Sequence, residues 1–245
     1  MSVCLQFDVG NSSAKWRLLS EGAVITRGSY LQGDVESRDA LLGCAESVDQ
    51  VWVSSVAATG GENHLTALVE QRWGLSPWYA RTSARSGELV NSYTDPSRMG
   101  VDRWLAMLGA RARSTDRLCV VDAGSALTID LVSPDGAHEG GYIIPGVALM
   151  ERALLLDTDR VRFDEDVDYA LSPGRSTAEA VRHGVALAQV GSVATVLDSS
   201  GTRTPQLFFT GGAGDTLRKM LGRGGELVPD LVFEGLEVMA RQAGL

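Results

Sequence analysis

Lysine is nearly missing from this 245-residue chain: only Lys15 and Lys219 stand among its 22 basic residues. Acidic residues number 31, for a net charge of -9, which argues against a general electrostatic footprint for nucleic acid or an anionic lipid surface. Cysteine is scarce too. Cys4, Cys44 and Cys119 form no C-x-x-C pair, and two of them fall in β-favouring runs, so they read as reduced, mostly buried thiols. His64, His138 and His183 are scattered, without H-E-x-x-H or any paired metal spacing, and read as structural or solvated. There is no G-x-x-x-x-G-K-[ST], which excludes a P-loop, and no G-x-S-x-G elbow to support serine hydrolysis. No apolar stretch approaches the ~18 residues of a membrane span, and the first residues run into a strand rather than a leader. The expected compartment is the cytoplasm, with no membrane and no nucleic-acid partner.

What is present suits a buried core: 44% hydrophobic and 22% charged residues. The length fits one large domain or two of roughly 100–150 residues. A repeat decides for two. Asp8-Val9-Gly10-Asn11-Ser12-Ser13-Ala14-Lys15 is echoed by Asp122-Ala123-Gly124-Ser125-Ala126-Leu127-Thr128, each a D-x-G core between two β-favouring runs.

In the first copy Val3, Leu5, Phe7 and Val9 alternate with Cys4, Gln6 and Asp8, the period of a strand, and a second strand follows from Trp16. The D-x-G is then a strand-turn-strand corner. Gly10 permits close approach of backbone to a ligand, and the turn N–H groups with Asn11, Ser12 and Ser13 can hold phosphate oxygens. Asp8 offers a hard oxygen to Mg²⁺, an ion usually held by one or two carboxylates, waters and the substrate's phosphates. Lys15 adds a positive charge near them. An ordinary hairpin with an Asx-type turn has the same letters. Two such corners, one per half, can clamp a nucleotide across a cleft.

Along the rest of the first half, Ala23 to Tyr30 reads as a third strand, 35–46 as a helix, 50–56 as a strand, 62–73 as a helix and 78–81 as a strand. Residues 82–100 form a long polar loop, of a length that is usually functional or disordered. Gly100-Val101-Asp102-Arg103 then opens an amphipathic helix. Asp102 either points into a cleft or simply complements the positive end of the helix dipole.

The second half repeats the plan, with strands at 117–122, 127–132 and 137–144, the last broken by Gly140 and Gly141. A helix follows at 147–156, then an acidic, solvated loop and a long helix over 175–197, begun by the capping box Ser176-Thr177-Ala178-Glu179. Gln206 to Thr210 is a strand. After it, Gly211-Gly212-Ala213-Gly214 makes a place for a ribose or adenine against backbone, though not a Rossmann fingerprint, since the third glycine is missing. The last helix, 231–242, reads as packing.

Taken together, the two corners, Gly100 to Arg103, Gly140 to Gly146 and Thr210-Gly211-Gly212 resemble type III pantothenate kinases, of the acetate kinase, actin, sugar kinase and heat-shock chaperone ATPase superfamily. The resemblance runs from Asp8 to about Leu217. It implies an α/β fold of two duplicated ribonuclease H-like domains with mixed sheets and a cleft between them, here 1–116 and 117–245, assembled as a homodimer. It implies transfer of the γ-phosphoryl of ATP to the primary hydroxyl of pantothenate, the first step of coenzyme A synthesis, with Mg²⁺ and a monovalent cation, K⁺ or NH₄⁺.

Carried onto this sequence, Asp8 to Lys15 matches the family's first phosphate motif, with Ser12 where threonine is usual. Asp122 matches the monovalent-cation ligand and Ser125 an ATP contact, with Ser125 and Leu127 each replacing a threonine. Gly100, Val101, Asp102 and Arg103 match the pantothenate-binding stretch, with the catalytic base at Asp102. Tyr93 and Thr177 fall at further pantothenate contacts, and Gly140 to Gly146 at a dimer-interface segment. Some relatives of the family are described as accessory transcription factors, and the superfamily phosphorylates other small alcohols. Both remain alternatives, the first disfavoured by the acidic balance and the intact Asp8, Lys15, Asp102 and Asp122 set.

Overall fold

Strand alternation builds the first sheet, in a computed structural model that describes residues 2–10, 13–157, 161–201 and 204–245. β1 (Val3–Val9), β2 (Ala14–Ser20) and β3 (Ala23–Tyr30) form an antiparallel meander. α1 (Val35–Leu42) leads to β4 (Gln50–Ser55), which lies parallel to β1, and α2 (Thr59–Trp73) leads to β5 (Trp78–Tyr79). The order across the sheet is β3-β2-β1-β4-β5. One face sends Leu5, Phe7, Trp16, Leu18, Val51 and Val53 into a core with Leu41 of α1 and Leu65, Leu68 and Val69 of α2. α1 is capped by Asp34, whose carboxylate accepts from Ser37 N at 2.8 Å, and it stops at Gly43 rather than running to residue 46.

The polar stretch 82–100 is more ordered than its composition predicts. It holds a two-stranded ribbon, β6 (Arg85–Ser86) with β7 (Leu89–Val90), and a short 3-10 turn at Pro96–Arg98. α3 (Val101–Arg113) follows at once.

The second sheet repeats the first. β8 (Leu118–Ala123), β9 (Ala126–Val132) and β10 (His138–Pro145) are antiparallel; β11 (Gln206–Thr210) runs parallel to β8 and β12 (Glu226–Leu227) parallel to β11. The order, β10-β9-β8-β11-β12, is position for position that of the first sheet. β10 is one strand with a bulge between His138 and Gly140, not a strand cut short. α4 (Val147–Asp157), α5 (Thr177–Ser199) and α6 (Gly214–Leu221) accompany it. Val121, Leu127, Ile129 and Phe209 meet Val190, Val193 and Leu217 in its core. Among the described residues α5 alone is long and apolar enough to cross a membrane, contrary to the expectation that no stretch comes near. Its Val190, Val193, Val196 and Leu197 are spent on this core, as in a helix packed on a sheet.

The chain divides into two compact units, Met1–Ala112 with Leu231–Leu245, and Arg113–Asp230. The division differs from the expected 1–116 and 117–245 by four residues at the boundary, 113–116, and by the last fifteen, because α7 (Leu231–Gln242) packs on β1 and β4 of the first unit. Its anchor is a buried arginine. Arg17 on β2 bonds Gln6 Oε1 at 2.8 Å and Glu237 of α7 at 2.5 Å, with its guanidinium 4.6 Å from the Phe233 ring. Gly235 lets the carbonyl of Leu105 in α3 come so close that a Cβ would collide with it. Periodicity shows that 231–242 is a helix; it cannot show which sheet the helix covers.

Candidate active site

In the first unit, the site grows from the carboxyl ends of two parallel strands. β1 closes with Asp8-Val9 and β4 with Ser54-Ser55, and the register sets Asp8 beside Ser54 on one side and Lys15 on the other. Open α/β sheets bind ligands at this end of their strands. Asp8 Oδ1 accepts from Ser54 Oγ at 3.2 Å. Burial, and next the negative charge of Asp102, push the Asp8 carboxyl up to about 6, against the opposing pull of Lys15 and Ser54. Two carboxylates thus share one neighbourhood, with the exposed Lys15 as the cation opposite.

Past Asp8 the corner closes by Gly10 N–H donating to Ser13 O at 3.0 Å. Val9 and Gly10 are half-buried, Ser13 is exposed and Ala14 is packed in the core. Asn11 and Ser12 lie outside the described residues.

Asp102 sits in the first turn of α3, half-buried, and its Oδ1 accepts from Arg103 N at 2.8 Å. That bond is the dipole-complementing role expected of an acid at a helix start, and it also fixes the carboxylate. Gly100 makes room for it: a Cβ there would stand 2.5 Å from Asp102 Oδ1. Val101 is buried and serves packing. Arg103 is buried as well, 5% exposed, and donates through Nη1 to Tyr93 Oη at 2.9 Å with its guanidinium 5.8 Å from the Tyr93 ring. Tyr93 is steadied in turn by its own N–H on Asn91 Oδ1 at 2.9 Å. Asp8, Lys15, Asp102, Arg103 and Tyr93 therefore all belong to one unit, joined by Ser54.

Ser54 was missed by sequence reasoning. Its signal was a polar pair closing the apolar run Val51 to Val53, where a parallel neighbour of Asp8 had to fall.

In the second unit, Asp122 is the last but one residue of β8, in register with Thr128 on β9 and Thr210 on β11. Gly211, with φ +84, lies so close to Asp122 Oδ1 that no side chain fits there. Ala213 N–H donates to Ala123 O at 3.0 Å, tying the Gly211-Gly212 turn to the corner. Gly124 N–H donates to Ala126 O at 3.0 Å, and Ser125, exposed, accepts from Gly146 N on its carbonyl at 3.2 Å. Thr177 is exposed in the first turn of α5, but the cap is Ser176, which accepts from Glu179 N at 3.1 Å. Thr177 instead lines an apolar groove of about 1190 Å³ between α4 and α5. Tyr93 and Thr177 thus stand on different units. Lys219 forms an exposed pair with Asp215 at 2.6 Å and has no part in either corner.

Among the described residues no cluster of three or more His, Cys, Asp or Glu could hold a metal by itself. Buried His138, 3.0 Å from Asp130, and His64 on Tyr30 Oη at 2.9 Å are structural, and Cys4 and Cys119 are buried. The donor set of the first unit does fit a hard cation that shares its coordination with phosphates: two carboxylates held together, one pushed up to about 6 partly by the other's charge.

The family model for type III pantothenate kinase matches residues 4–199. A type III pantothenate kinase of Ectopseudomonas mendocina is 39% identical, with 96% of this chain and 97% of that protein covered. One from Thiobacillus denitrificans is 36% identical, with 100% and 99% covered. Among solved structures, MreB 5 of Spiroplasma citri, bound to AMPPNP, has a TM-score of 0.51 at 8% identity, with 100% and 97% covered. A conserved protein of Campylobacter jejuni assigned to a Baf family of transcriptional activators has a TM-score of 0.61 at 21% identity, with 98% and 100% covered. At such identities these two structures show the fold alone.

Proposed function

The chain belongs to the type III pantothenate kinase family, and from that premise we propose that Asp102 is the base of an ATP-dependent phosphorylation of pantothenate. The observation that carries the assignment is the pairing of Asp102 with Asp8, beside Lys15, at the carboxyl end of β1. Phosphoryl transfer asks a protein to neutralise phosphate charge and to place the attacking oxygen in line. Lys15 and the N–H groups of the first corner serve the phosphates. Asp102, fixed by the Arg103 N–H, accepts the proton of the primary hydroxyl as that oxygen attacks the γ-phosphorus and ADP leaves. Tyr93 and Arg103 form a rigid pair against which the substrate's polar groups lie, with Gly100 and Val101 shaping the same turn. Thr177, at the start of α5, is the further pantothenate contact expected of the second unit.

Asp8 would hold Mg²⁺, which when bound supplies charge neutralisation on the transferring phosphates. In the second corner Asp122 binds K⁺ or NH₄⁺ and Ser125 contacts ATP, supported by the carboxylate and the backbone crowded around it. Exposed Tyr142 and Ile143 on edge strand β10, 52% and 65% accessible, together with the apolar α4–α5 groove, support a homodimer through Gly140 to Gly146.

Purified protein supplied with ATP, Mg²⁺, K⁺ and pantothenate should release ADP in proportion to phosphopantothenate formed. A panel of sugars and other alcohols separates this reading from a different acceptor. Turnover of a sugar with none of pantothenate would overthrow it. Light scattering of Ile143→Lys should read a monomer where the parent protein reads a dimer.

A further inference from the structure

Gln189 is out of character with its helix. It stands in the apolar middle of α5, 4% exposed, where an unpaired amide group is costly. Its nitrogen is satisfied: Nε2 donates to Pro145 O at 2.8 Å and lies 3.8 Å from Met150 Sδ. Pro145 and Met150 both line the large groove. Gln189 itself lines a different cavity, of about 180 Å³, inside the second unit. Because the amide is planar and its nitrogen end is turned to the groove side, Oε1 is the end given to that cavity. Among the described residues no hydrogen bond reaches Oε1.

The cavity is small and mostly apolar. Val147, Val190, Leu217 and Met220 line it, together with Gly212, Ala213 and Thr216 after β11. Tyr169 is a fixed wall, its Oη on Glu151 Oε1 at 2.5 Å and the Arg182 guanidinium 5.7 Å from its ring. A dry cavity of about 150 Å³ accommodates benzene, so this one, open at its mouth, suits an aromatic heterocycle. Ala123, directly after Asp122, is part of the wall, so an occupant lies next to the second corner. Apolar pockets with one or two placed polar groups are the usual form of a small-molecule site.

We propose that this cavity takes the purine base of the nucleotide and that Gln189 Oε1 accepts a hydrogen bond from its exocyclic amino group, making Gln189 the residue that selects a 6-amino over a 6-oxo purine. The inference rests on the nucleotide-binding reading above. A 6-oxo purine would set a carbonyl oxygen against Oε1. The amide cannot turn over to meet it, because that would place Oε1 against the Pro145 carbonyl.

The test compares ATP with ITP, which differ at this one position, by calorimetric binding to the whole protein and by turnover with pantothenate. The unaltered protein should prefer ATP by roughly tenfold. Gln189→Met, similar in volume, should bring the ratio to about one by weakening ATP alone, and Gln189→Leu should do the same. Equal affinity for both nucleotides in the unaltered protein, which needs no variant to fold, would overturn the inference while leaving the kinase reading intact. So would an ATP preference that survives in a Gln189→Met protein of native melting temperature. Absence of both ATP binding and turnover would overturn the kinase reading and this inference with it.

Discussion

The two corners share a scaffold and differ in what they carry. Both end the central strand of a five-stranded sheet with the same strand order, and both place an aspartate between an antiparallel and a parallel neighbour. Asp8 has Lys15 and Ser54 for those neighbours; Asp122 has Thr128 and Thr210. The second turn is one residue shorter, closing on Ala126 O where the first closes on Ser13 O. The first corner is charged and has Asp102 near it. The second has no lysine and is crowded by the backbone of Gly211. The same hairpin thus appears twice with different furnishing, one copy with ionic groups and the other with close-fitting backbone.

Five substitutions follow, four of them bearing on that division. Asp8→Asn should have the largest effect, lowering turnover at least ~10²-fold, as should Asp102→Asn through loss of the base, with near-native circular dichroism in both. Asp8→Asn should also make the metal-free protein more stable at neutral pH. The folded-state value, about 6, lies above the ordinary ~3.9 of an aspartate, so the folded chain binds this proton more tightly than the unfolded chain does. The benefit is complete below about pH 4 and is lost as pH rises through about 6, leaving a cost on the order of 2 kcal/mol at pH 7. Urea midpoints from pH 4 to 7 should therefore fall less steeply in the variant than in the parent.

Lys15→Ala should lower kcat/KM by roughly 10–100-fold, the loss of one charge-assisted contact of about 1.5–3 kcal/mol. A loss no greater than that of Ser125→Ala would erase the distinction between corners. Glu237→Ala leaves Arg17 without its carboxylate and should cost about 2–3 kcal/mol in denaturant melts, less than a fully buried pair because Glu237 is 26% exposed. Smallest of all, Ser125→Ala should raise the KM for ATP a few-fold, consistent with one neutral hydrogen bond of ~0.5–1.5 kcal/mol.

Much of this was legible in the sequence because it is local. Alternation from Val3 to Val9 and the continuous β-favouring run from Leu118 to Val121 mark the central strands, and D-x-G marks where each turns. Ser176 and Glu179 announce the start of α5, and the structure makes both the cap bond to Glu179 N and a return bond from Arg175 N to Glu179 Oε2 at 2.6 Å. What stayed hidden is long-range. Ser54 becomes part of the site only through its parallel register with Asp8, and Arg103 meets its Tyr93 partner only across a loop. The stretch 82–100 looks like a loop because strands of two residues are too short to show a period, and β12 escaped notice for the same reason.

The return of α7 to the first sheet bears on how the polypeptide is made. Residues 113–230 form an uninterrupted insert, able to fold as they leave the ribosome, whereas the sheet begun by β1 waits for a helix encoded after them. At about 5–20 residues per second that delay is on the order of ten seconds. Throughout it, Arg17 and Gln6 lack the Glu237 and Phe233 that later cover them, so the half of the molecule synthesised first is the half finished last.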